Sequence, residues 1–175
     1  MAKYVVVEPH ADDAFLSLGG HIERWVKAGD EVLIVTLIPV KKTSLRDAEA
    51  YAKAVGASWE GYDCGRLMKS VPWLHKKFDG QVILPLAIEH PDHWAVRMAF
   101  ERGPKPWYYV DAPYYMAQKN WDLTNELLIG KSVVSVLKPS ARKWRHVPLF
   151  KSQSKFFYFN SKEKLAQMTE MIVCE

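Results

Sequence analysis

The chain has 175 residues, nearly half of them apolar, and a net charge of +4. That length points to one domain with a core large enough to fold without disulfides. Cys64 and Cys174 have no metal-type spacing and read as free thiols. No apolar run nears the roughly 20 residues that span a bilayer. The start, Met1-Ala2-Lys3-Tyr4, lacks the pattern of a signal peptide. The expectation is a soluble cytoplasmic protein.

Tyr4 to Val7 is a short β-branched run and reads as a buried strand. The polar loop Glu8-Pro9-His10-Ala11-Asp12-Asp13 follows it. Phe15, Leu18, Ile22, Trp25 and Val26 then recur at helical spacing, and Gly29-Asp30 closes that helix. Glu31 to Leu37 is a second strand. Ser44 is the predicted cap of a helix running through Ala48, Tyr51, Ala52 and Val55 to Gly56. A strand over Ala57 to Glu60 follows, then a short amphipathic helix over Val71 to Phe78. Gln81 to Leu86 is a further strand. It ends in Ile88-Glu89-His90-Pro91-Asp92-His93, which leads into a helix from Asp92 to about Arg102. Trp107 to Val110 and Val133 to Leu137 read as strands. Pro148 breaks any helix within Ser140 to Lys155. Phe156 to Phe159 is predicted as a late strand, and Lys162 to Val173 as a terminal helix. The alternation predicts a single Rossmann-like α/β domain with a mostly parallel sheet.

Two polar clusters thus occupy equivalent places, each after a buried strand and before a helix. In open parallel sheets, ligands bind beyond the carboxyl ends of the strands. Loops 8–13 and 88–93 are therefore predicted to face one crevice. An Asp-Asp pair before a helix commonly serves only as a cap, and two histidines three apart are commonly surface residues. Occurring together at two strand ends, they point instead to a metal site. Catalytic zinc sites use three protein ligands and leave one position for water. His10 and Asp13 would supply two ligands, and the second loop a histidine. His90 and His93 share one helical face, so one can bind metal while the other reaches substrate.

The run Pro9-His10-Ala11-Asp12-Asp13-Ala14, with Gly19-Gly20 after it, resembles the signature of the PIG-L-type (LmbE-like) zinc de-N-acetylases. That signature reads His-Pro-Asp-Asp-Glu. His90-Pro91-Asp92-His93 is similar to the second family motif. Arg46 with Glu49 and Val55-Gly56-Ala57 resembles the family's Arg-x-x-Glu helix, and Lys151-Ser152-Gln153 its late Ser-Gln. The resemblance implies a Rossmann-like fold and removal of an N-acetyl group from an amino sugar or related amine. It implies one Zn(2+) per chain on His10, Asp13 and His93, with another divalent metal as the alternative. It further implies Asp12 as general base toward a metal-activated water, and His90 as oxyanion stabiliser with Asp92 tuning its charge. Arg46 would contact substrate. Ala11 and Ala14 stand where the family has Pro and Glu, which puts local support of the site in question.

From Leu127 to Lys162 there are eight Lys or Arg residues and no acidic residue. With the short loop from Ile38 to Thr43, this suggests an open site with a basic flank. A phosphorylated N-acyl substrate, a modified nucleotide or a nucleic-acid base would suit it. Two other readings are a binding module with a vestigial metal site and a phosphoesterase-like enzyme. The second would more often want a two-metal cluster with extra carboxylates, which the sequence pattern does not reveal.

Overall fold

The computed structural model describes residues 1–38, 42–64, 77–100, 105–138, 141–153 and 161–175. The helix predicted over Val71 to Phe78 falls largely outside these residues, and the strand predicted over Phe156 to Phe159 wholly so. The first strand, β1 (Lys3–Glu8), buries both faces: Val6 and Val7 have no exposed surface. Burial on both sides is what a central parallel strand requires, and it explains the unbroken valine run. β1 pairs in parallel with β2 (Glu31–Thr36) on one side and β4 (Gln81–Pro85) on the other. Beyond β2 lies β3 (Ser58–Gly61), and beyond β4 lies β5 (Trp107–Tyr109), both parallel.

Among the described residues the sheet has seven strands, ordered β3-β2-β1-β4-β5-β7-β6. β7 (Glu170–Cys174) runs antiparallel to β5, and β6 (Ser132–Leu137) antiparallel to β7. The helix predicted over Lys162 to Val173 is therefore corrected. Only α5 (Lys162–Leu165) is helical there, numbered after the four helices below. The segment Glu170–Cys174 alternates with period two: Ile172 joins one core layer, Val173 and Met171 the other. A β-branched run of that period fits the slot between two strands better than a helix.

The two layers follow the same alternation along the parallel strands. Val6, Ile34, Ile83 and Tyr109 face one side, where α1 (Asp13–Lys27) and α2 (Lys42–Val55) pack. Val5, Val7, Val35, Val82, Leu84 and Tyr108 face the other, covered by α3 (Pro91–Phe100) and α4 (Trp121–Leu128). Gly29, at φ 85°, lets the chain leave α1: its amide bonds Val26 O and the Asp30 amide bonds Trp25 O. Two details differ from expectation. α2 begins at Lys42, so Ser44 lies inside its first turn rather than capping it. The basic segment with Pro148 forms tight 3₁₀ turns over Ala141–Leu149 and Lys151–Gln153.

That segment is anchored by a buried ion pair. Lys143 Nζ lies 2.7 Å from Glu170 Oε1, both side chains 3% exposed. The pair reaches into the middle of α1. Glu170 Oε1 accepts from the Gly20 amide at 2.8 Å, and Lys143 Nζ donates to Leu16 O at 2.5 Å. Those are the two backbone groups that an undisturbed helix joins to each other. Gly20 makes the approach possible, because a Cβ there would stand 3.1 Å from both Glu170 carboxylate oxygens.

Candidate metal centre

The sheet order reverses direction at β1 and β4. The chain moves outward through β2 and β3, then returns to pair on β1's opposite edge. The crevice over the carboxyl ends of these two strands is the switch point where such sheets bind ligands. Both predicted loops open there.

Glu8 ends β1 and pins the first loop. It is 1% exposed; its carboxylate accepts from the Ala14 amide at 2.9 Å and the Thr36 hydroxyl at 2.6 Å. Burial pushes its carboxyl well above the ordinary value, against those two bonds. Glu8 thus supplies a buried carboxyl to the loop, at an amide belonging to the position where the family signature has its own Glu. Asp12 occupies the N-cap position of α1, yet its side chain makes no capping bond. Asp13 Oδ2 accepts from the His10 amide at 2.8 Å and stands 3.3 Å from His10 Nδ1.

The second loop is strained at two points. Ala87 and Glu89 adopt φ of 68° and 65°, a left-handed conformation that costs non-glycine residues on the order of 1–3 kcal/mol each. Bonds on either side hold it. The Ile88 amide donates to Asp111 Oδ2 at 3.1 Å, and the Glu89 carboxylate accepts from Lys119 Nζ and Asn120 Nδ2. The strain delivers His90 to the mouth of the crevice and His93 to its floor.

His93 has no exposed surface. Its Nδ1 donates to Asp111 Oδ1 at 2.5 Å, which in the neutral ring leaves Nε2 as an acceptor. Nε2 stands 3.3 Å from Asp13 Oδ2 but has no hydrogen-bond partner among the described residues. Donor atoms of His10, Asp13 and His93 all lie within 4.8 Å of one another. A tetrahedral ion with bonds of about 2.0–2.1 Å holds adjacent ligand atoms roughly 3.3–3.4 Å apart. Both separations of Asp13 Oδ2 meet that value, so the residues fit a zinc-sized ion.

The electrostatics divide the two aspartates. Burial alone would raise Asp13, but His93 and His10 outweigh it and hold its carboxyl well below the usual range. Burial and the Asp13 charge push Asp12 up instead. His10 and His93 are raised to about 9 and about 10, because the facing carboxylates overcome their burial. His90 is pushed below its ordinary value by burial and by those two imidazoles. Asp92 does not set its carboxylate mainly on His90: Oδ2 lies 3.0 Å from His10 Nε2 and 4.0 Å from His90 Nδ1. The Asp92 amide donates to His90 Nδ1 at 3.2 Å, which places a neutral His90's proton on Nε2.

No protein-family model and no curated protein matches the chain. Its fold has solved counterparts. The A40926 pseudoaglycone deacetylase Dbv21 superposes with a TM-score of 0.71 at 20% identity, over 99% of this chain and 96% of that one. A deacetylase of the teicoplanin biosynthetic pathway gives 0.68 at 18%, over 99% and 97%. The chain has the fold of the PIG-L-type (LmbE-like) de-N-acetylases. The 4-carboxy-2-hydroxymuconate hydratase GalB from Pseudomonas putida also shares it, with a TM-score of 0.66 at 15% identity, over 94% and 83%. The PIG-L-type fold therefore hosts more than one reaction, and the site must select among them.

On this PIG-L-type fold, His10, Asp12, Asp13, His90, Asp92 and His93 converge on one crevice. Among the described residues, Arg46 makes no hydrogen bond or ion pair with this cluster. It is exposed on α2 and lines a cavity of about 580 Å³ with Asp47, Pro148, Leu149, Lys151 and Ser152. The basic stretch is also less free than its sequence implies. Lys143 pairs with Glu170, Arg145 with Glu23, and Lys131 with Glu175, so distant acids offset part of the local excess. Trp107 and Trp144 pack on the core. Asp111 is absent from the two sequence clusters; its one signal is its place just past a buried strand's carboxyl end, which His10 and His90 share.

Proposed function

We propose that residues 1–175 act as one metal-dependent amidohydrolase domain. It removes an N-acetyl or other N-acyl group from an amino sugar or related amine. One observation carries this reading. The imidazole Nε2 of fully buried His93 has no hydrogen-bond partner among the described residues and faces Asp13, which in turn faces His10, at the spacing of a tetrahedral ligand set. His10, Asp13 and His93 would hold zinc or another divalent ion. When bound, such an ion acidifies a water molecule and polarises the amide carbonyl.

The chain's own groups do the rest. Asp12 sits beside the ligand Asp13, is not used in capping, and is raised so that it can hold a proton. It takes a proton from the attacking water and returns it to the leaving amine. His90 Nε2–H donates to the negative charge that develops on the carbonyl oxygen. Asp92 and Asp111 orient His10 and His93 through the ring nitrogens that face them. The role of Arg46 as a substrate contact rests on the family resemblance alone. The solved deacetylases of the same fold support the amide reaction, in which the leaving amine accepts the proton that Asp12 returns.

The test is metal analysis joined to an amine-release assay on a panel of N-acetyl amines. About one zinc per chain with amine release is expected. Asp12→Asn should keep the metal and lose roughly 10²–10⁴-fold in turnover. Stoichiometric metal with no amine released from any substrate would overturn the reading and leave a binding module. An N-acetylated nucleotide as the best substrate would favour the basic-flank alternative.

A further inference from the structure

The Tyr114 ring packs against both site imidazoles, with centroids 5.8 Å from His90 and 5.2 Å from His93. The same residue lines a cavity of about 420 Å³. Pro113, Met116 and Met168 make its walls mostly apolar, and Glu89, next to His90, lines it together with Lys164 and Gln167. The Glu89 carboxylate is already engaged by Lys119 and Asn120, so its charge is offset. The cavity is of ligand-binding size, and an acetyl methyl would leave most of it empty. Two methionines suit flexible aliphatic groups, because their unbranched side chains adapt to the occupant.

The direction of the substrate follows from the reading above, on which this inference rests. The leaving nitrogen must reach Asp12 on the first loop. The carbonyl oxygen must reach His90 on the second. The acyl chain is the substituent left to run past His90 along the Tyr114 ring. We propose that this cavity is an acyl-chain subsite and that the preferred substrate is an amine carrying a linear aliphatic acyl group of several carbons. The chemistry balances as ordinary hydrolysis. A water oxygen bonds to the carbonyl carbon and the C–N bond breaks; both water protons end on the nitrogen, one passed through Asp12 and the second given up by the new carboxylic acid. The products are an aliphatic carboxylate and an ammonium.

The experiment uses the zinc-loaded full chain and N-acetyl, N-butyryl, N-hexanoyl and N-octanoyl glucosamine. kcat/KM is expected to rise about fourfold for each methylene the cavity buries. Ala117→Trp fills the cavity and Met116→Asp puts a charge in it. Each should lower the octanoyl-to-acetyl ratio of kcat/KM at least tenfold. A second arm needs no turnover: octanoate should bind the zinc-loaded protein at least tenfold more tightly than acetate. Acetyl turnover with kcat/KM flat or falling along the series overturns the subsite and leaves the hydrolase reading standing. If no substrate turns over, the hydrolase reading falls, and octanoate binding no tighter than acetate overturns the subsite as well.

Discussion

Asp111 lies between the two things the crevice must hold still: the His93 ring and the Ile88 amide of the strained loop. An amide side chain at this position could accept from His93 through one atom only, and its NH₂ would clash electrostatically with one of the two donors. Asp111→Asn should therefore lower zinc affinity about 10–100-fold, the usual effect of losing a carboxylate behind a histidine ligand. Titration of the metal-free protein with zinc reads this directly, and an unchanged affinity would remove Asp111 from the site. The residues in front of Asp111 were legible in the sequence because they are clustered there: His10 to Asp13 share one turn, and His90 to His93 another. Asp111 and Glu8 were not, because each acts across space, on loops that only the folded sheet brings near. A lone acid in Val110-Asp111-Ala112 has only its place past a strand end to mark it.

At the scale of elements, the ion pair set into α1 makes the sharpest prediction. Lys143→Met would leave the Glu170 charge buried without its cation, a loss typically worth about 3–5 kcal/mol. Urea denaturation should show it as a lower midpoint with an unchanged slope. Acid dependence separates two buried carboxyls. Burial would raise Glu170, but Lys143, His21 and the Gly20 amide outweigh it and hold it below its ordinary 4.5. A group lower in the folded than the unfolded state stabilises the fold above its unfolded value, and that contribution is lost as pH falls through the folded value. Glu8 is raised instead, so the folded state holds its proton more tightly, and its contribution grows as pH falls toward 4.5. Glu170→Gln should flatten the profile of stability against pH below about 4.5, and Glu8→Gln should flatten it above. A profile unchanged in both variants would contradict these environments. The helix that the sequence predicts over Lys162 to Val173 stops at Leu165, and Glu170–Cys174 is a strand. Its period of two emerges only with β5 and β6 on either side.

For the whole molecule, alternating strands and helices were enough to predict a mostly parallel sheet and to place both loops at one edge. The order of the strands was not readable. It depends on which neighbours β1 accepts, and β6 and β7 join antiparallel after a long excursion through α4 and the 3₁₀ turns. Metal removal should act at this scale too. Any ligand that binds only the folded state adds stability that grows with its free concentration. A chelator should lower the melting temperature, and added zinc should restore it in a concentration-dependent way.

The pairing of β1 with β4 gives that stabilisation an unusual leverage. His10 and Asp92 meet across 82 residues of sequence, and His93 lies one residue further on. An ion shared by the two loops is then a cross-link that closes most of the parallel half of the sheet into a single ring. Closing a ring of this length removes chain entropy from the unfolded state worth about 4–5 kcal/mol. The chain between the two loops holds β2, α2 and β3, so the ion would tether elements it never touches.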